Sequence, residues 1–149
     1  MPMEIKICGI NSEDVIQTII KKGGCKYLGF VFYPPSPRNI TIEHSKKLTS
    51  IVPNDIKKVA VMVNPEVDFI EKIKHYFDYF QLYDTSPSKM KVLKLQSNKK
   101  IIQAIKVKKK DDVNLYKSYI GIADDFLFDS TAMERSHSFD WDYLKNIEI

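Results

Sequence analysis

Apolar and polar positions fall into blocks along this chain, and the blocks recur. Ile5 and Ile7 flank Lys6 in a short extended run, Glu4 to Ile10, which Gly9 breaks. Asn11 and Ser12 offer helix caps. Glu13 and Asp14 then occupy a first turn, where the positive end of the helix dipole favours them. Val15, Ile16, Ile19 and Ile20 recur at helical spacing until Gly23-Gly24 ends the helix. Tyr27 to Phe32 is an unbroken apolar run, as suits a parallel strand covered on both faces. Ile42 to Val52 predicts a second helix, stopped by Pro53-Asn54-Asp55, and Lys58 to Val63 a third strand. After Asn64-Pro65 comes a helix with Val67, Ile70, Ile73 and Phe77 on its apolar face. Tyr79 to Leu82 is a fourth strand. Ser86-Pro87 starts a helix whose apolar positions are Met90, Leu93 and Leu95. Ile101 to Val107 is a fifth strand, Asp111 to Tyr119 a helix closed by Gly121, and Asp125 to Phe128 a sixth strand ending in Asp129. Thr131 to Ser138 is a polar loop, and Phe139-Asp140-Trp141 opens a last short helix.

Strand and helix thus alternate, unit after unit, at intervals of about 20 to 27 residues. Right-handed crossovers turn such a pattern into a parallel sheet with helices outside. An open doubly wound sheet and three quarters of a (βα)8 barrel both satisfy it. No G-x-G-x-x-G follows the first strand, and no G-x-x-x-x-G-K-S/T occurs, which weighs against nucleotide-binding versions.

Composition narrows the picture. With 149 residues, 44% apolar and 28% charged, the chain predicts one soluble domain, 1–149. There is no bilayer-spanning apolar run and no signal-peptide h-region at the start, so no membrane partner and a cytoplasmic location are expected. Cys8 and Cys25 have no paired spacing and point to free thiols in a reducing compartment. The net charge of +4 suits a small anionic substrate. Its one dense run, Lys106 with Lys108, Lys109 and Lys110, lacks interleaved aromatics and arginines and is followed by Asp111-Asp112. That is a solvated loop rather than a nucleic-acid patch. His44, His75 and His137 form no ligand pattern, and neither a metal nor a cofactor is expected.

Four residues carry candidate chemistry. Cys8 sits at the carboxyl end of the first strand, where α/β proteins usually keep their active sites. On spacing alone it reads first as a small apolar residue inside a strand. Arg38 stands in a loop stiffened by Pro34, Pro35 and Pro37, a good mount for a guanidinium that meets an anion. Gln81 in the fourth strand is an inward or mouth-facing candidate. Asp129 follows a buried apolar strand, where a carboxyl becomes a better general acid, though a turn-forming role is also open. Cys25 belongs to packing.

Lys6-Ile-Cys-Gly-Ile10, and Leu28 to Tyr33 with Ser36-Pro37-Arg38, carry a specific resemblance. Val61-Met-Val-Asn-Pro65, Gln81-Leu82, Phe128-Asp129 and Phe139-Asp140-Trp141 fall at matching intervals. Together the segments resemble the phosphoribosylanthranilate isomerase family, the (βα)8-barrel enzymes of tryptophan biosynthesis. The resemblance implies a parallel α/β barrel of TIM type, with about six of eight βα units present and units 7 and 8 absent. It also implies an Amadori rearrangement of N-(5-phosphoribosyl)anthranilate, with Cys8 as general base and Asp129 as general acid. Arg38 is implied to grip the anthranilate carboxylate, and Gln81 to bind substrate.

Departures from the family pattern are visible. Its fourth strand usually continues Gln-Leu-His-Gly, whereas this chain has Gln81-Leu82-Tyr83-Asp84. Met133 to Ser138 replaces a glycine-rich stretch, and no glycine follows Gly121, so no phosphate-cradling loop is visible there. Loop residues such as Arg135 are candidates to replace that phosphate site. Six strands alone leave two sheet edges and an open interior. Expected partners are therefore the phosphorylated substrate and, for the edges, self-association or a second chain that completes the barrel. A non-catalytic interaction module using those edges is the alternative reading.

Overall fold

The computed structural model describes residues 3–130 and 138–148. Thr131 to His137 of the expected polar loop, Arg135 among them, therefore lie outside the described residues. Six strands form one parallel sheet in chain order: β1 (Ile5–Cys8), β2 (Cys25–Phe32), β3 (Lys57–Val63), β4 (Tyr79–Tyr83), β5 (Lys100–Val107) and β6 (Asp125–Ser130). A doubly wound sheet reverses its strand order; this one does not, and the order is that of a barrel wall. The wall curls. Tyr83 of β4 reaches past β5 to Asp129 of β6. A cleft of about 250 Å³ is bounded by Glu4 and Lys6 at one edge, Asp125 and Leu127 at the other, and Gln81 and Ile102 between. Within the described residues, β1 and β6 have no strand on their outer sides.

Helices α1 (Glu13–Lys22), α2 (Ile42–Ser50), α3 (Val67–Ile73) and α4 (Pro87–Ser97) fill the first four crossovers. Three start on hydroxyl caps: Ser12 accepts from the Val15 N–H, Thr41 from that of His44, and Ser86 from that of Lys89. Such caps satisfy backbone donors that the first turn leaves without partners. The fifth crossover, expected as an α-helix, is a 3-10 segment, Lys110–Tyr119. Its buried residues Val113 and Tyr116 lie three apart, the period of that tighter helix.

Side chains alternate across the sheet. Leu28, Phe30, Ala60, Met62, Phe80, Leu82 and Ile101 point out toward the helices and are fully buried there with Ile16, Ile70, Ile73, Met90 and Leu93. Burying one such large side chain stabilises the fold by about 1.5–3 kcal/mol. Three details correct the expected pattern. Leu95 is 85% exposed, because α4 buries Met90, Leu93 and Ser97, and Leu95 lies on the opposite face. Val15 is left exposed while Ile16 and Ile19 are buried. Asp129 lies within β6, which runs on to Ser130.

The lysine run lies where β5 turns into the 3-10 segment. Lys108, Lys109 and Lys110 are exposed, and Asp112 accepts from the backbone N–H groups of Lys108 and Lys109 at 2.9 Å each. Those two bonds, Lys109's first, hold the Asp112 carboxyl below the usual range.

Candidate active site

The first strand delivers Cys8 to the inner face. Lys6 and Cys8 project inward beside Gly29 of β2, while Ile5 and Ile7 are left partly exposed on the other face. A Cβ at position 29 would lie 2.8 Å from the Cys8 Sγ, so only glycine leaves room for the thiol there. The turn that follows is fixed by Gly29, whose carbonyl accepts from both Gly9 N–H (2.9 Å) and Ile10 N–H (3.0 Å). Gly9 has φ +88° and lies under the Arg38 side chain, whose Cδ a Cβ would strike. Arg38 Nη1 donates to the Cys8 carbonyl at 3.2 Å.

The loop that carries Arg38 is braced internally. Ser36 N–H donates to the Tyr33 carbonyl, Asn39 N–H to that of Ser36, and Ile40 N–H returns to the Val31 carbonyl. The Arg38 backbone also donates to Ser36 Oγ at 3.2 Å. The guanidinium is exposed, and no ion pair engages it among the described residues.

The opposite wall holds the carboxylate. Tyr83 Oη donates to Asp129 Oδ2 at 2.8 Å, and the Ser130 N–H donates to Asp129 Oδ1 at 2.8 Å. Gln81 Nε2 donates to Tyr83 Oη at 3.2 Å. The Tyr83 hydroxyl is pushed well above the ordinary tyrosine range, by burial first, then by the Asp129 carboxylate and by Cys8. It therefore stays protonated and available as a donor. Cys8 packs against the same inner-face cluster that includes Tyr83.

Cys8 and Asp129 thus stand on the inner face at the carboxyl ends of β1 and β6, and Arg38 reaches the Cys8 carbonyl from the loop after β2. Gln81 does not reach the mouth. It is 1% exposed, one inward position below Tyr83, with its Nε2 directed at the tyrosine. Tyr83 is the functional residue that the sequence pattern missed. Its alternation with Gln81 on an inward-facing strand was the available signal. Cys25 is buried in β2 and donates its thiol to the Tyr27 carbonyl at 3.2 Å, as packing requires. Among the described residues, no three His, Cys, Asp or Glu side chains gather as a metal would need. No helix among them is long and apolar enough to cross a membrane.

A curled parallel sheet with a thiol, a guanidinium and a carboxylate at its carboxyl ends defines a TIM-type barrel enzyme. Residues 5–149 match the family model for N-(5'-phosphoribosyl)anthranilate (PRA) isomerase. The isomerase of Paramagnetospirillum magneticum is 31% identical over 97% of this chain and 71% of its own length. That of Rhizobium etli is 34% identical over 97% of this chain and 69% of its own length. The solved isomerase of Thermotoga maritima superposes with TM-score 0.84 at 26% identity, covering 97% of this chain and 70% of that one. A solved isomerase bound to reduced 1-(o-carboxyphenylamino)-1-deoxyribulose 5-phosphate superposes with TM-score 0.77 at 26% identity, covering 87% of this chain and 66% of that one.

The chain belongs to the phosphoribosylanthranilate isomerase family, isomerases of tryptophan biosynthesis. These likenesses favour the enzyme over the non-catalytic interaction module.

Proposed function

We propose that Cys8 and Asp129 are the base and the acid with which this isomerase rearranges N-(5-phosphoribosyl)anthranilate to 1-(2-carboxyphenylamino)-1-deoxyribulose 5-phosphate. The observation that carries this reading is their placement. A thiol and a carboxylate stand at the carboxyl ends of β1 and β6, the carboxylate hydrogen-bonded to Tyr83 and the thiol packed against the inner cluster that includes Tyr83. Asp129 gives a proton to the furanose ring oxygen, the C1–O bond breaks, and the opened sugar becomes an iminium. Cys8, as thiolate, takes the C2 proton and leaves a neutral enolamine. That species tautomerises to the ketone with no net change in protons. Each turnover therefore moves one proton from acid to substrate and one from substrate to base, and a net transfer from thiol to carboxylate resets the pair.

The Arg38 guanidinium is hydrogen-bonded to the Cys8 carbonyl. Arg38 has exposed donors to spare for the anthranilate carboxylate, a charge-assisted contact. Gln81 supports the site from beneath rather than touching substrate.

Barrels of this class commonly hold phosphate on loops after their seventh and eighth strands. Among the described residues β1 and β6 have free outer edges, which supports the reading that further βα units complete that part of the site. The decisive experiment follows the loss of phosphoribosylanthranilate fluorescence with the purified chain, with Cys8→Ala as control. Turnover that survives the substitution rejects Cys8 as base. If the folded chain is silent, adding two βα units from a related barrel should bring activity back; continued silence rejects the completed-barrel reading.

A further inference from the structure

Gln81 presents an anomaly at the centre of the site. Its Nε2 has a partner, yet its Oε1 is buried with none among the described residues. Buried acceptors without partners are uncommon and ask for a cause. The direction of the chain supplies one. A phenol has a single proton. Because Tyr83 Oη receives the Gln81 N–H, its own proton is turned toward Asp129 Oδ2. Gln81 Nε2–H to Tyr83 Oη–H to Asp129 Oδ2 is the arrangement that serves an ionised carboxylate.

A general acid must also exist in its protonated form, and in that form the same chain runs backward. Asp129 O–H then donates to Tyr83 Oη, and the tyrosine proton needs an acceptor on its other side. Turning the Gln81 amide over about Cγ–Cδ brings Oε1 to that place. An amide offers a donor on one terminal atom and an acceptor on the other, and a half-turn exchanges them.

We infer that Tyr83 and Gln81 are positioning residues for Asp129, forming a hydrogen-bond chain that reverses with the charge of that carboxyl and holds it in one place in both states. No proton passes through the chain; only bond rotations reverse it. The inference rests on the proposed role of Asp129 as the acid. The other groups facing the chain are Cys8, from β1, and Lys106, which lies beside Asp129 in the β5–β6 register and is paired with Asp84 at 2.7 Å.

The test is an NMR titration of the whole chain. The Asp129 carboxyl carbon, assigned through Asp129→Asn, and the Gln81 side-chain amide are followed together against pH. The expected result is one shared midpoint. In Tyr83→Phe the Gln81 signals should stop following Asp129, and kcat should fall about tenfold with KM within about twofold, the loss of one hydrogen bond. Gln81 signals that stay flat through the Asp129 titration overturn the inference, as does coupling that survives in Tyr83→Phe. The wild-type titration decides the matter even if the variant does not fold. Normal turnover in Asp129→Asn would instead overturn the acid role, while the measured coupling would stand on its own.

Discussion

The two faces of the sheet are built from the same strands and are opposite in character. On the outer face Phe30, Ala60, Phe80 and Leu82 are sealed under α1 to α4, with no polar atom among their side chains. The inner face, above an apolar floor of Val31, Val59, Val61 and Ile102, carries Gln81, Tyr83 and Asp129 joined by hydrogen bonds, and among the described residues it is open at two edges. The period of two that separates the faces also separates their work. Outer positions hold the fold through dispersion and burial, and inner positions near the carboxyl ends hold the chemistry. A substitution should therefore strike stability or turnover according to the parity of its position.

The largest effect expected on the inner face is from Asp129→Asn or Cys8→Ala. Each should lower kcat by about 10²–10⁴, equivalent to about 3–5.5 kcal/mol, with the urea midpoint nearly unchanged. Steady-state kinetics beside a denaturation curve would check both halves of that statement. On the outer face, Phe80→Ala should remove about 3–5 kcal/mol of stability, read as a lower urea midpoint at constant m. Its remaining folded fraction should keep normal kinetic constants; a selective loss of kcat would break the division between the faces. Arg38→Ala should raise KM by about 10–100-fold, as expected for losing a charge-assisted hydrogen bond, with little change in kcat. An unchanged KM would remove Arg38 from substrate binding.

The smallest effect lies at the amino end of the strands. Burial pushes the Asp124 carboxyl up, but hydrogen bonds from Lys94 (2.9 Å) and the Ile101 N–H (2.8 Å), with the charges of Lys94 and Lys100, bring it below the usual range. Its stabilising contribution is present above the unfolded pKa of about 3.9 and is lost as pH falls through the lower folded value. Asp124→Asn should be less stable by about 1 kcal/mol at neutral pH, a figure already reduced for solvent screening. The gap to wild type should close below about pH 4 in paired urea titrations. A gap that persists in acid would assign the effect to packing.

Much of this was legible in the chain because buried parallel strands are written as apolar runs. Tyr27 to Phe32 and Lys58 to Val63 could hardly be anything else, and turn residues separate them. Cys8, Arg38 and Asp129 could be found because each stands at a strand end or in a proline-stiffened loop. Leu95 was misplaced because a helix face is decided by what packs on it, and α4 meets its neighbours through Met90, Leu93 and Ser97. The alternation with Gln81 could mark Tyr83 as inward-facing, but its bond to Asp129 was not legible. It depends on the curl that carries β4 within reach of β6, and curl is a property of the sheet as a whole.

Strand order has a consequence for how the molecule is made. Each strand lies beside the one synthesised just before it, so a nascent chain can extend the wall as it leaves the ribosome, through contacts of short sequence separation. The Tyr83–Asp129 bond spans 46 residues and skips a strand, so it must wait until β6 has emerged. Translation would complete the scaffold well before the acid is seated, and the nascent wall would acquire its reactive centre last.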